Sequence, residues 1–486
     1  MFKKITYYSI GAACLSLLIW ACAPKVTQKT ASKNAPANYN SLLDTAKSAN
    51  GSSSADTTNT ADIEWKKYFT DPDLVALIDT ALANNQEYNI MLYEINVAQA
   101  EVRGRKGIFL PKVDVGVGAG AEKAGRYTRN GAVDNSLEIE PGKPIPEVLP
   151  NYGFGANLSW EVDIWRKLRN AKQAAVHRYL ASVQGRNFMR TSIIAEIAST
   201  YYELLALDNQ LNILKQNISI QNNALKTVKM EKTAAKVTEL AVRRFEAQVY
   251  HTQSMQFVIL QKIIETENKL NFLIGSYPKP IKRNSDTFIT ITHDSIYAGV
   301  PSQLLQNRWD IQQAESKLEA SKLDIKVAKA NFYPTFRITG GIGYEAFNPK
   351  LIISSPESML FSLAGTLVMP LINRNEIQAM YLGASAKQIQ AAYNYERSIL
   401  NAYVEVSNQL AKINNLGNSF KLQKLQVEAL NESVTIAGNL FLSARADYME
   451  VLLTQRDALE SKMELIETKK EQLKATVLLY KALGGG

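Results

Sequence analysis

The chain has 486 residues, 46% of them hydrophobic and 21% charged, which excludes a disordered or collagen-like polymer. Its 55 Lys and Arg against 46 Asp and Glu give +9, spread along the chain without a basic block, so nucleic acid is not an expected partner. Three distant histidines (His177, His251 and His293) leave little for a zinc site or His-based catalysis, and no metal or cofactor is expected.

Residues 1–21 carry Lys3 and Lys4, then an apolar run over Ile10–Ile19, then Trp20-Ala21 before Cys22. The run is too short for a transmembrane helix. It resembles a bacterial lipoprotein signal, although Trp20 departs from the small residue usual there. Cleavage before Cys22 makes a covalent lipid on Cys22 the expected modification. Cys14 leaves with the signal, so the mature chain holds no disulfide, and losing Lys3 and Lys4 brings it to +7. The alternative is an ordinary signal peptide with an incidental cysteine. Residues 22–62, rich in Ser, Thr, Asn, Ala and Lys, read as the lipidated N-terminus and a flexible tether.

From residue 63 the chain is duplicated. Phe109-Leu110-Pro111 recurs as Phe332-Tyr333-Pro334, 223 residues on, and Leu270–Gly275 recurs as Leu479–Gly484, 209 residues on. A longer loop in the first half, about 123–151 against 346–358, accounts for the 14-residue difference. Tyr201/Tyr403 are offset by 202 and Ala235/Ala444 by 209, a seven-residue interval that a coiled coil absorbs as two turns. The spans are a first repeat over 63–280, a connector over 281–300 and a second repeat over 301–486.

Each repeat carries two segments of period-2 alternation, at 112–120 and 152–162, then at 335–344 and 359–369. Val113, Val115 and Val117 oppose Asp114, Gly116 and Gly118; Phe154, Leu158 and Trp160 oppose Gly155, Asn157 and Ser159. Runs of about 10 residues with an aromatic-ended apolar face and a Gly-rich opposite face suit membrane-spanning strands. Four strands cannot close a barrel, so several copies must pool them. Three copies give twelve strands, though the arithmetic also permits a dimer.

The rest is helix, nearly free of proline. Leu204, Leu207, Leu211, Leu214, Ile218 and Leu225 form a coiled-coil seam, and Ile413, Leu416, Phe420, Val427 and Leu430 another. A helix over about 163–235 spans about 110 Å. The fold class is therefore an α+β membrane protein, a duplicated unit of two transmembrane β-strands plus long coiled-coil helices.

The segments Trp65-Lys66-Lys67-Tyr68-Phe69-Thr70-Asp71-Pro72-Asp73-Leu74, Ala81-Leu82-Ala83-Asn84-Asn85, Val237–Val242 with Glu246-Ala247-Gln248, Arg308-Trp309-Asp310-Ile311 with Ala314-Glu315, and the closing Leu479–Gly484 resemble the TolC/NodT-type outer membrane efflux proteins. The resemblance covers about 63–486. It implies a homotrimer with a 12-stranded β-barrel continued by a periplasmic α-helical tunnel. It also implies docking to a periplasmic adaptor and an inner-membrane transporter of the RND type, with passive efflux of drugs or toxic small molecules as the function. The implied adaptor-contact tips are Lys236, Val237, Thr238 and Glu239 in the first repeat and Arg445, Ala446 and Asp447 in the second. Glu450 matches an acidic residue lining the closed tunnel end, while Leu453 stands where the family has a second acid.

No Walker A, GxSxG or HExxH pattern occurs, and Gly116–Gly120 fails the dinucleotide spacing, so no enzyme is expected. A coiled-coil adhesive lipoprotein remains the alternative class, but it has no use for the four strands. Small-molecule efflux and protein secretion are both open as cargo.

Overall fold

The computed structural model describes residues 24–34, 36, 39, 59–60, 63–292, 298–370, 372, 374–443 and 445–485; Cys22 and Ala444 lie outside them. In chain order the main elements are α1 (Pro72–Asn84), α2 (Gln86–Ile108), β1 (Lys112–Glu122), β2 (Leu149–Val162), α3 (Lys167–Thr233), α4 (Glu239–Leu273), α5 (Trp309–Ala330), β3 (Thr335–Ala346), β4 (Met359–Val368), α6 (Asn375–Leu442) and α7 (Tyr448–Leu483). They divide into two compact units. One holds residues 96–180 and 316–392 with the sheet; the other holds 31–95, 181–315 and 393–486 and is helical. Among the described residues no helix is long and apolar enough to cross a membrane.

The sheet has the order β1-β2-β3-β4, antiparallel throughout. Its register puts the apolar positions of four strands in common rows: Val117, Phe154, Tyr344 and Met359 in one, Val115, Ala156, Ile342 and Phe361 in the next. The other face carries Gly116, Gly155, Gly343 and Leu360 in one row and Asp114, Asn157, Gly341 and Ser362 in another. Period-2 alternation thus survives as two chemically distinct faces because all three registers agree. The apolar face is open to solvent in one chain: Val117 is 87% and Phe361 79% exposed. The β1–β2 loop runs over 123–148 and includes a short helix and a two-strand hairpin; the β3–β4 loop spans only 347–358.

In the helical unit each repeat closes in the same way. Gly275 and Gly484 follow α4 and α7 with φ of +69° and +97°. A Cβ there would sit 2.6 Å from the Asn84 carbonyl oxygen and 2.4 Å from that of Asn307, so both the backbone conformation and the close approach demand glycine. Beside them Asn85 Nδ2 donates to the Leu273 carbonyl at 2.8 Å, and Arg308 Nη1 to the Ala482 carbonyl at 3.0 Å. Asp71 caps α1, accepting from the amides of Asp73 and Leu74. Its other oxygen accepts from the Tyr201 hydroxyl at 2.9 Å. Trp65, Phe69, Leu74 and Ile78 fill the core between α3, α4 and α7. Tyr480 stacks on Tyr68 with centroids 4.1 Å apart. It donates to the Ile63 carbonyl, and burial pushes its phenol up to about 12.

Two expectations are adjusted and a third holds. Helix α3 covers 167–233 rather than 163–235, because Asp163 accepts from the amides of Leu168 and Arg169 and sets the helix start beyond it. The α3 seam holds through Leu204, Leu207 and Leu214, then passes through Asn217, Gln221 and Val228. Ile218 and Leu225 are left half-buried; Leu225 packs at the edge of the apolar cluster at the helix ends, in which Val228 is buried. Helix α6 runs unbroken through the interval where the repeat offset changes, as two whole turns require.

The tether reading fails for residues 24–34. In the sheet unit, Val26 packs against Ile325, Phe332 and Tyr381, and Ser385 Oγ donates to the Thr27 carbonyl at 2.5 Å. Gln388, 1% exposed, clasps Lys29 twice, accepting from its amide at 3.0 Å and donating to its carbonyl at 2.7 Å. In the helical unit, the Ser32 amide donates to Glu396, and Tyr39 stacks on Tyr403 with centroids 5.6 Å apart. A polar composition orders here because its backbone groups are satisfied by side chains far along the chain. Gln388→Ala should therefore strand two groups of Lys29 at a cost of about 1–3 kcal/mol. Hydrogen exchange over 27–32 should quicken roughly tenfold with sheet content unchanged; unaltered protection would refute the clasp.

Candidate functional site at the helical turns

The turn α3–α4 is set by backbone geometry. Ala235 takes φ +57°, its amide donates to the Lys232 carbonyl, and the Lys236 amide reaches back to Glu231 at 2.9 Å. This closing pattern normally places glycine where Ala235 stands. The turn α6–α7 repeats it, with the Arg445 amide donating to the Leu440 carbonyl at 2.9 Å. Thr238 and Asp447 then open α4 and α7 from extended backbone, and neither side chain caps its helix. Their hydroxyl and carboxylate stay available to a partner.

One apolar cluster holds the four helix ends together. Val228, Ala241, Val242, Phe245, Ala437 and Val451 are buried in it. Val237, expected as a contact residue, packs at its edge and positions the turn. Lys236, Thr238, Glu239, Arg445, Asp447 and Glu450 are exposed, and Ala446 is half-buried. The structure thus brings both predicted tips to one end of the helical unit.

The two turns differ in charge. Glu239 pairs with Lys232 and with Arg243, the latter at 2.8 Å. Arg243 also meets Glu246 at 3.0 Å, and Lys229 meets Glu246 at 2.8 Å. The Lys232 hydrogen bond holds the Glu239 carboxyl below the usual carboxylate range, and Lys229 does the same for Glu246. The sign follows: this network is fully formed above the ordinary carboxylate pKa and is lost as pH falls through the depressed values. At the second turn, Arg445, Asp447 and Glu450 make no ion pair among the described residues. Glu450 stands in the first turn of α7, one residue past Met449, whose sulfur accepts from Arg244 at 2.7 Å. Sequence reasoning missed this cross-link and the Lys229–Glu246 pair, which have no local signal; the i,i+3 and i,i+4 spacing of Glu239, Arg243 and Glu246 signals only the pairs within α4.

Groups of carboxylates, histidines or cysteines able to hold a metal are absent among the described residues. What the turns offer is a small charged surface set on an apolar cluster. Ala235→Gly should relieve the left-handed strain by about 1 kcal/mol. Hydrogen exchange at 230–240 should slow accordingly, and faster exchange would contradict the strain.

Comparison with known proteins matches these elements. The family model for outer membrane efflux proteins covers residues 77–276 and 300–485, the two repeats. The chain is 28% identical over 427 residues to the pyoverdine export outer membrane protein OpmQ of Pseudomonas putida, covering 87% of this chain and 88% of that one. It is 26% identical over 422 residues to the toluene efflux pump outer membrane protein TtgI of the same species, covering 87% of each. The open-state structure of the Neisseria gonorrhoeae MtrE outer membrane channel superposes with a TM-score of 0.80 at 20% identity, covering 96% and 98% of the two chains. With its repeats, its sheet and its paired turns all accounted for, the chain belongs to the outer membrane efflux protein family and is an outer membrane channel component of an efflux pump.

Proposed function

We propose that three copies of this chain form a lipid-anchored exit duct for small molecules. The three four-stranded sheets close one 12-stranded barrel, and the helices continue it as a periplasmic tunnel. A periplasmic adaptor and an inner-membrane transporter deliver the cargo and the energy. The duct performs no chemistry. The observation that carries this reading is the sheet: β1 and β4 are edge strands with an exposed apolar face. In lipid such edges need partners. Relatives whose names specify pyoverdine export and toluene efflux favour small organic cargo.

The lipid anchor on Cys22 fits the same picture, since Val26, four residues on, packs beside Phe332 where the chain enters β3. Acyl chains on Cys22 would then reach the membrane on the helical side of the sheet. The purified protein in mild detergent should run as a trimer whose N-terminal peptide carries acyl mass on Cys22. A stable monomer with full β signal defeats the shared barrel, and an unmodified Cys22 defeats the anchor. Lys at Leu158 or Phe361 should block assembly, at about 2–4 kcal/mol for each charge facing mid-bilayer.

The exposed tips Lys236–Glu239 and Arg445–Asp447 are the adaptor contacts in this reading, and Glu450 is the gate. Three symmetry copies of Glu450 around a narrow end would concentrate negative charge and attract cations. Glu450→Gln should weaken cation selectivity and divalent block in planar bilayers while leaving export intact. Unchanged conductance and selectivity would remove Glu450 from the constriction.

A further inference from the structure

The two ends of the sheet differ in charge. On the loop side, residues 123–148 and 347–358 together hold five Lys and Arg and five Asp and Glu. On the helical side, the ten residues flanking each strand (102–111, 163–172, 325–334 and 369–378) hold ten Lys and Arg against two carboxylates, Asp163 and Glu376. Asp163 is already committed to the start of α3 and to Arg169. Among the described residues Arg103, Lys106, Arg166, Lys172, Lys326 and Lys329 take part in no ion pair. All but the half-buried Lys172 are exposed.

Apolar side chains share this border. Ile108, Leu110, Ile164 and Ile372 are 55%, 59%, 53% and 89% exposed. Trp165 stacks on Tyr333 with centroids 4.8 Å apart and donates to the Pro334 carbonyl at 2.7 Å. Exposed aliphatic groups, a fixed amphipathic indole and free cations in one band match the boundary between acyl chains and headgroups. Neutral headgroups would leave this net charge without a counterpart.

We propose that the helical rim of the sheet is a binding surface for anionic phospholipid headgroups, which the loop rim is not. The proposal rests on the membrane-spanning reading of the sheet and adds the lipid class and the side. Lys and Arg stems lie along the apolar border while their heads meet the phosphates, each worth roughly a fivefold change in affinity.

The test uses the full-length protein in mild detergent, titrated with phosphatidylglycerol or with phosphatidylcholine of identical acyl chains, bound lipid being counted by native mass spectrometry. Phosphatidylglycerol should be retained at least tenfold better, and raising salt from 0.1 to 0.5 M should erase the difference. The variant Arg166→Gln/Lys172→Gln/Lys326→Gln/Lys329→Gln should lose the preference. The loop-side control Arg126→Gln/Arg129→Gln/Lys143→Gln/Lys350→Gln should keep it. Equal retention of both lipids by the unaltered protein, or equal loss in the control, overturns the proposal. Failure of the membrane reading looks different: neither lipid is retained at all.

Discussion

Backbone hydrogen bonding at the sheet edges governs the rest of the architecture. The outer edges of β1 and β4 carry amide and carbonyl groups that one chain does not pair, and in hydrocarbon each unpaired group costs several kcal/mol. The chain supplies its strands as two hairpins, β1–β2 and β3–β4. Four antiparallel strands built that way have their loops at one end and all four helical connections at the other. A single topology therefore separates a loop side from a helical side. The charge contrast between the two rims follows the same division.

Several motifs that carry the family resemblance turn out to be clamps. Asp71 caps α1 and binds Tyr201. Arg308, 4% exposed, ties Asp310, Glu405 and the Ala482 carbonyl together, with the two carboxylates holding its charge. Losing Asp310 would leave the buried guanidinium with only the solvent-exposed Glu405 as a counter-charge, a destabilising change. Gly484 lets α7 end against Asn307, as Gly275 lets α4 end against Asn84. Such residues close each repeat at a distance from the exposed turns. The turns themselves are built from unremarkable residues on a common apolar cluster.

The duplication was legible because copies of one unit keep their order, and matched motifs such as Leu270–Gly275 and Leu479–Gly484 reappear in equivalent places. Strand limits came out within a few residues, since period-2 alternation is a property of a single strand. The 14-residue loop difference became the hairpin-bearing loop 123–148 against 347–358. The positions of the turns followed from the family resemblance rather than from any local pattern in the sequence. In the charged network the Glu239–Arg243 pair had a local signal in its i,i+4 spacing, whereas Lys232 meets Glu239 only because the turn brings them together.

What the sequence by itself determined is local and periodic: which segments are strands or helices, which face of each is apolar, and that the unit occurs twice. Pairing of β2 with β3 joins residues almost two hundred positions apart, such as Phe154 with Tyr344, and no local signal encodes that register. The N-terminal segment shows the same limit. Residues 24–34 have the composition of a tether, yet Gln388 holds Lys29 from 359 positions away. The buried stripe of α3 moved to Asn217 and Gln221 for a related reason, since neighbouring helices select the face. These features were decided only in the tertiary structure, because which backbone groups find partners and which helix face is buried depend on what the fold brings beside them.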